Sequence, residues 1–288
     1  MDVVIYGLIN SSTLLLMSIG FALAYGVSRL PNFAHGALYI LAAYVNWVLL
    51  NRIGLSFGIS VMLTIVLTAL AGGLIYHLVL IHVRGMPVSE IIASLAIGLA
   101  IMEFIRWVGL IGPSFVLPNF TAGVLDIFGV PVDLQRVIIL GAGLSLVLVL
   151  WLFTSYTKAG LCLKAIAQDE RAALMLGMDS DRAAAAAMAL GSALISLAAI
   201  LLIPLGHIVV TAGYDVLLFA LAVCLCGGLG SWSGAVVAAF VIGFAQTITV
   251  YYIAPHFSLL VALLAIIAIL IAKPSGLFGK QKELEERV

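Results

Sequence analysis

Charged residues are scarce in this chain: Asp, Glu, Lys and Arg make up 9% of its 288 residues, whereas hydrophobic residues make up 64%. A soluble domain carries about 25% charged residues, so the composition excludes an ordinary soluble protein and predicts an integral membrane protein. The formal net charge is +0, which leaves no basic face for nucleic acid and no acidic tail. We therefore expect the lipid bilayer, and no nucleic acid, among the partners.

Cysteine is equally sparse, and Cys162, Cys224 and Cys226 have neither the spacing of a metal site nor that of a secreted disulfide framework. The 5 histidines are scattered over different segments. The sequence contains no nucleophile motif and no phosphate loop of the GxxxxGK[ST] type. We therefore expect no metal, no cofactor and no catalytic residues, and any ATPase that drives uphill transport must be another chain.

Long apolar runs dominate what is present. A helix needs about 20 apolar residues to cross the hydrocarbon, and no strand alternation is visible, so the runs predict an all-α, polytopic transmembrane bundle with eight to nine spans. The predicted spans are 3–28, 34–50, 56–81, 88–110, 136–156, 183–210, 214–228, 233–253 and 257–272. The 214–228 segment is short enough to be re-entrant or tilted. Because no segment could form a separate soluble domain, residues 1–288 are predicted to be one transmembrane domain.

Basic residues predict the orientation. With nine crossings and a cytoplasmic C-terminus, only Arg52, Arg106 and Arg136 of the 13 Lys and Arg fall outside, and the positive-inside rule favours this arrangement. The polar segment 157–182 then faces the cytoplasm. The external loop 111–135, interrupted by Pro113, Pro118 and Pro131, is predicted to be a structured cap or docking surface without a long helix.

One candidate part of a translocation pathway lies at residues 25–44, where Gly26, Pro31 and Gly36 interrupt the apolar run. Asn32 is a plausible N-cap for a helix starting at Phe33, with His35 and Tyr39 on one face. A broken helix whose N-terminus is open offers amide donors to an anion such as a carboxylate. The alternative is a tight cytoplasmic turn between two spans.

The few charges within the spans are further candidates. Glu103 and Arg106 are three residues apart and can neutralise each other on one helical face, and Asp215 lies near the outer start of the seventh span. The pair is as consistent with a structural role at the outer interface as with a gate for solute.

The segment 157–182 is predicted to contain a short helix. Leu163, Ile166, Ala167, Leu174 and Gly177 fall on one side of this helix, and Lys164, Gln168, Asp169 and Arg171 fall largely on the other. Gly177 is a natural residue to end it, and Asp179 or Ser180 can cap the next helix, expected to begin at Arg182. Such a helix suits a docking contact with a soluble protein, and the alternative is a helix lying among the lipid headgroups.

Four stretches together resemble the permease subunit of branched-chain amino-acid ABC importers over nearly the whole chain. They are ALAYGVSRLPNFAHGALYILAAY at 22–44, GLCLKAIAQDERAALMLGMDSDR at 160–182, CGGLGSWSGAVVAA at 226–239 and AKPSGLFG at 272–279. The resemblance implies a bacterial inner-membrane importer with two cytoplasmic ATP-binding subunits, a paralogous second permease and a periplasmic solute-binding protein. It makes 160–182 the ATPase-coupling helix, with Lys164, Ala165, Asp169, Glu170, Ala173 and Gly177 as coupling residues.

Two positions depart from that family, which commonly has arginine at Lys164 and, in some members, glutamate at Ala37. A lysine keeps the charge but loses the planar fork of arginine. The solute stays open, because related permeases serve branched-chain amino acids, other amino acids, amides and urea. A stand-alone secondary transporter with a coupling proton on Glu103, Asp215 or His35 is the alternative, and a membrane-embedded enzyme lacks any catalytic constellation.

Overall fold

The computed structural model describes residues 1–29, 31–109, 115–121 and 123–279. Within this part of the chain the long helices are α1 Asp2–Ser28, α2 His35–Asn51, α3 Phe57–Leu78, α4 Pro87–Trp107, α5 Leu134–Tyr156, α8 Ser180–Leu202, α9 Ala212–Gly227, α10 Trp232–Tyr252 and α11 Ser258–Ala272. Two short helices, α6 Lys158–Gln168 and α7 Glu170–Met175, lie between α5 and α8. Short 3-10 turns occur at Leu80–Val83, Ile203–Leu205 and Pro255–Phe257.

The helix lengths confirm the predicted polytopic bundle. Among the described residues, 7 helices are long and apolar enough to cross a membrane, and α9 is a shorter apolar helix. The predicted 183–210 span ends early, at Leu202, because Pro204 lacks an amide donor and the chain leaves helical geometry by Gly206. The predicted end of the fourth span, residue 110, lies outside the described residues.

Many hydroxyl side chains inside the bundle bond to the backbone of their own helix, although the buried hydroxyls of Ser12, Ser60 and Ser196 have no partner among the described residues. Ser18 and Ser192, for example, each donate to the carbonyl four residues earlier, at 2.7 and 2.8 Å. In a hydrocarbon environment a hydroxyl needs such a partner, because no water is present to replace it. Serine and threonine therefore fit within these spans and leave their surfaces free for close packing.

The long helices form two units that follow one plan. The first unit is α1–α4 and the second unit is α8–α11. Each has a long helix, a shorter helix, a second long helix, a 3-10 turn and a final helix, and the second unit has a further 3-10 turn after its first helix. Helix α1 packs against α8 and α10 of the second unit, and α8 packs in turn against α1 and α3 of the first. Val27 near the end of α1 packs with Ala183 near the start of α8, so the two helices run in opposite directions. This reciprocal, antiparallel packing is that of inverted repeats, a plan common among membrane transporters.

Two glycine contacts hold the units together. An added Cβ at Gly20 would lie 2.5 Å from the Gly191 carbonyl oxygen, and one at Gly36 would lie 1.9 Å from that of Gly213. The backbones of α1 and α8, and of α2 and α9, can approach this closely only because glycine has no side chain. Helices α2 and α9 both begin near the contact between Gly36 and Gly213, and from there they run to opposite ends of the bundle.

The segment between α4 and α5 contains a β-hairpin, which the sequence did not predict. Strands β1 Val124–Ile127 and β2 Val130–Asp133 pair in antiparallel register, and Phe128 and Gly129 between them have positive φ, as a type I′ turn requires. The strands are too short to show alternation in the sequence. Residues 110–114, which include Pro113, lie outside the described residues.

We call the end of the bundle that carries the β-hairpin the hairpin end. The opposite end carries α6 and α7 and the turn between α3 and α4, where Arg84 lies, and we call it the Arg84 end.

Candidate functional site

The 157–182 segment folds as two short helices with a break between them. Thr157 Oγ1 accepts a hydrogen bond from the Gly160 amide (3.0 Å) at the start of α6. Asp169 Oδ1 accepts one from the Ala172 amide (3.0 Å) at the start of α7. Each oxygen satisfies an amide that a helix start leaves unpaired. The prediction of a single short helix is therefore wrong, because the carboxylate of Asp169 starts a second one.

The turn into α8 follows the sequence prediction. Gly177 has φ of 79°, the left-handed conformation that commonly ends a helix. Asp179 Oδ1 accepts hydrogen bonds from the amides of Asp181 and Arg182, both at 3.1 Å. Asp179 thus caps α8 as expected, although the helix begins at Ser180 rather than at Arg182.

One side of the segment is anchored in the bundle. Leu163 and Ile166 of α6 and Ala173 of α7 are buried in a cluster with Val27 of α1 and Ala187 of α8. Burial of apolar side chains contributes about 25 cal/mol per Å² in water-exposed regions. This cluster fixes where the two short helices lie, and it assigns Ala173, one of the predicted coupling residues, an anchoring position.

The tip of α7 presents an exposed apolar surface. Leu174, Met175 and Leu176 are 50%, 90% and 76% exposed, and we call these three residues the apolar knob. The prediction that Leu174 lies on the same side as Leu163 is wrong, because the break at Asp169 reorients α7, so that Ala173 is buried and Leu174 is exposed. An exposed apolar cluster beside a polar surface is typical of a protein contact site.

A cavity of about 200 Å³ opens beside α6 at the Arg84 end. Lys164 and Gln168 line it from α6, and Ser231 and Trp232 line it from the start of α10. Lys164 is exposed and Ala165 is half-buried. Lys164, one of the predicted coupling residues, therefore lines a recess beside α6, whereas Ala165 is not among the residues that line it.

Arg84 ties this segment to the turn between α3 and α4. Its Nη2 donates to Glu170 Oε1 and to Ser180 Oγ, both at 2.6 Å, and its Nη1 donates to Asp181 Oδ1. The Tyr76 hydroxyl of α3 donates to the same Asp181 oxygen at 3.3 Å. We call these five residues the Arg84 cluster. Its charged hydrogen bonds are of the stronger kind.

The environment of Arg84 keeps its guanidinium charged. Burial acts to lower the pKa of Arg84, but attraction to Tyr76, Glu170 and Asp181 outweighs it, so the pKa lies above its ordinary value. From the sequence, Arg84 contributed only to the orientation. A lone basic residue followed by Gly85 at a break between two apolar runs was the available signal.

The predicted translocation residues near α2 lie in the interior of the bundle. Asn32 Oδ1 accepts a hydrogen bond from the Ala34 amide (3.0 Å), and His35 Nε2 lies 3.0 Å from the Met17 carbonyl oxygen. Asn32, His35 and Tyr39 are 5%, 2% and 4% exposed. Asn32 thus caps this turn as expected, although α2 begins at His35 rather than at Phe33, and the contact of Gly36 with α9 covers the helix start.

The remaining predicted residues lie on α4 and α9. Glu103 accepts a hydrogen bond from Arg106 Nη1, which confirms that the two groups pair on one face of α4. Asp215 is exposed in the first turn of α9. A small apolar cavity of about 10 Å³ lies between α2, α4 and α9. Among its lining residues are Gly36, Ala37, Gly98, Met102, Gly213 and Tyr214. Within the described residues, no group of three or more metal-ligating side chains was found.

Comparison with known proteins places these features in a family. The family described as "Branched-chain amino acid transport system / permease component" matches residues 3–270. The chain is 27% identical to the high-affinity branched-chain amino acid transport system permease protein LivH of Salmonella typhimurium, over 95% of this chain and 94% of that protein. It is 24% identical to BraD of Pseudomonas aeruginosa, with the same coverage of both. The probable branched-chain amino acid transport permease protein LivH of Methanocaldococcus jannaschii is 28% identical, over 94% and 90%.

A solved structure has a similar fold. PsaBC from Streptococcus pneumoniae, in complex with Fab, matches with a TM-score of 0.51 and 15% identity, over 100% of this chain and 96% of that one. The likeness concerns the arrangement of the helices alone. With the family match over nearly all of the sequence, it leads to one assignment: the chain belongs to the family of permease components of branched-chain amino acid transport systems.

Proposed function

We propose that this chain is the translocation subunit of an ATP-driven importer and that its apolar knob binds a cytoplasmic ATP-binding subunit. The observation that carries the proposal is the exposure of Leu174, Met175 and Leu176 on a helix anchored on its other side by Ala173. Two ATP-binding subunits, one bound to this chain and one to a paralogous permease, would hydrolyse the ATP that drives transport. This chain would itself carry out no covalent chemistry.

The charge distribution supports a cytoplasmic Arg84 end. Among the described residues, the basic side chains at the Arg84 end are Arg29, Arg84, Lys158, Lys164, Arg171, Arg182 and Lys273, and those at the hairpin end are Arg52, Arg106 and Arg136. An excess of Lys and Arg marks the cytoplasmic side. Lys280, Lys282 and Arg287 lie outside the described residues. The hairpin end would then face the periplasm of a bacterial inner membrane and receive a solute-binding protein.

Within this arrangement residues 1–288 act as one transmembrane domain. Lys164, Ala165, Asp169, Glu170, Ala173 and Gly177 form and support the coupling surface. Asn32, His35, Gly36, Tyr39, Glu103, Arg106 and Asp215 remain our candidates for the translocation pathway. Gly36 lies where α2 and α9 meet, and Asn32, His35 and Tyr39 are buried close to it in sequence, so opening that contact would expose this part of the chain by alternating access.

Branched-chain or other hydrophobic amino acids are the solutes that we propose. The named relatives are branched-chain amino acid permeases, and the small cavity between α2, α4 and α9 has an apolar lining that includes Ala37 and Met102. The geometry does not support the proton-coupled alternative at two of its three candidate residues, since Glu103 pairs with Arg106 and His35 is buried against α1.

The test is to replace Met175 with Glu and purify the permease in lipid with its ATP-binding subunits. We expect co-purification and solute-stimulated ATP hydrolysis to fall at least tenfold, because a charge in an apolar contact must be desolvated without a partner. Phe128→Glu is the matched control for co-purification, since Phe128 is 84% exposed at the opposite end, and it should co-purify with the ATP-binding subunits like the wild type. Normal assembly of the Met175→Glu variant would refute the assigned docking site.

A further inference from the structure

The Arg84 cluster joins three parts of the chain that are distant in sequence. Arg84 lies in the turn between α3 and α4, Glu170 begins α7, and Ser180 and Asp181 begin α8. A single guanidinium contacts all three acceptors, through Nη2 to Glu170 and Ser180 and through Nη1 to Asp181. The planar fork of arginine fixes the relative orientation of its acceptors, which a lysine cannot do.

The turn that carries Arg84 is itself fixed to both neighbouring helices. The amide of Gly85 donates to Glu90 Oε1 at 2.6 Å, and Glu90 is only 5% exposed in the first turn of α4. On the other side, fully buried Tyr76 of α3 donates to Asp181. A displacement of Arg84 would therefore be passed to α3 and to α4 rather than absorbed by a loose loop.

Ser180 Oγ of α8 also donates a hydrogen bond to Glu170 Oε1, and the other attachments of α7 are of a different kind. Its main packing partners among the helices are α6 and α8, to which it is also linked through the chain. Ala173 adds an apolar contact with the cluster around Val27. Apolar contact is non-directional, so it permits sliding, whereas the Arg84 hydrogen bonds oppose it.

We propose that Arg84 is a positioning residue that transmits movement of α7 to α3 and α4, so that one docking event moves both units of the bundle. Without this link, α7 would act on the second unit through the chain and on the first unit only through sliding apolar contacts. The proposed function supplies the force that moves α7, since an ATP-binding subunit would bind there. The link from α7 to α3 and α4 through Arg84 is seen in the structure itself.

The link can be tested on the purified permease alone, by hydrogen exchange in lipid. Arg84→Gln should make the backbone amides of 170–178 exchange about tenfold faster, because α7 loses its charged anchor. Arg84→Lys should give an intermediate rate. The matched control is Arg182→Gln, which removes the same charge from an 89% exposed side chain and should exchange like the wild type. An unchanged rate for Arg84→Gln, or an equal effect of Arg182→Gln, would overturn the inference.

A second measurement concerns transport in the complete complex. In the Arg84→Gln variant the ATP-binding subunits should still co-purify, while solute moved per ATP hydrolysed falls about threefold or more. Met175→Glu, in contrast, should reduce co-purification itself. If the wild-type permease fails to bind ATP-binding subunits, the proposed function fails and the exchange measurement still decides the link. If Arg84→Gln gives no folded protein, Arg84→Lys takes its place in both measurements, and a wild-type ratio of transport to hydrolysis would contradict the transmission.

Discussion

The two units of the bundle share a helix plan, but the α3–α8 pair and the α1–α10 pair, which both join the units, make different kinds of contact. In the α3–α8 pair, an added Cβ at Gly72 would meet the side chain of Ser192, with Oγ at 1.9 Å and Cβ at 2.6 Å. In the α1–α10 pair, an added Cβ at Gly243 would meet Ser11, including its backbone Cα at 2.6 Å and N at 2.8 Å. The first contact can adjust through a side chain, and the second brings two backbones together.

The ends of these two pairs differ as well. The α3–α8 pair ends in the Arg84 cluster, where Tyr76 and Arg84 bind Asp181. The α1–α10 pair instead has a polar contact within the bundle, where Asn10 Nδ2 donates to Gly243 O and to Gln246 Oε1, both at 3.1 Å. We infer that α1–α10 is the fixed pair, and that α3–α8, joined to the coupling segment, is the adjustable one.

The largest effect should come from the contact that both units share. Gly36→Ala places a Cβ 1.9 Å from the Gly213 carbonyl oxygen. Because this contact is with backbone, no side chain can move to relieve it. We expect a loss of about 3 kcal/mol or more in the free energy of unfolding, at or above the usual range for overpacking. Denaturant unfolding in detergent measures it. Gly141→Ala, which meets nothing within 4 Å, is the control, and an equal effect of the two would show that the contact is not tight.

A smaller change in the free energy of unfolding should distinguish the α3–α8 pair from the α1–α10 pair. Gly72→Ala and Gly243→Ala should each destabilise the protein by about 2 kcal/mol. Ser192→Gly should relieve the first by about 1 kcal/mol, because the clashing Oγ and Cβ are removed. Ser11→Gly should leave the second nearly unrelieved, because the backbone atoms stay in place.

Double-mutant cycles on thermal or denaturant unfolding measure this difference. The contrast between an adjustable and a fixed pair would be disproved by equal coupling energies in the two cycles.

The smallest effect concerns the polar contact of the fixed pair. Asn10→Leu removes both hydrogen bonds to α10, and we expect a loss of about 1 kcal/mol, since an interhelical hydrogen bond in a membrane protein contributes about 0.6 kcal/mol. Thr249→Val is the control, because Thr249 Oγ1 bonds only to Ala245 O of its own helix in the described structure. A stability unchanged by Asn10→Leu would leave the glycine contact as the source of rigidity in α1–α10.

Much of the candidate site could be predicted from local sequence. Gly177 and Asp179 act as cap residues because capping depends on a few neighbouring backbone groups. The break at Asp169 was missed, since an aspartate at that position fits an exposed helix face equally well. The hairpin was missed because its strands have four residues each, too few to show alternation against an apolar background.

The sequence by itself determined the spans, the class of protein and the turn into α8. A membrane helix satisfies its own backbone hydrogen bonds and meets lipid with its own side chains, so its existence is a local property. The family resemblance added the transport role from motifs that are also local.

Only the tertiary structure decided which residues meet. The partners of Arg84 are 86 to 97 residues away in sequence, and Gly36 meets Gly213 across the two units. The same packing covered the start of α2 and left the apolar knob exposed. Such pairings depend on how rigid helices fit together in three dimensions, which the apolar pattern of each helix taken alone does not specify.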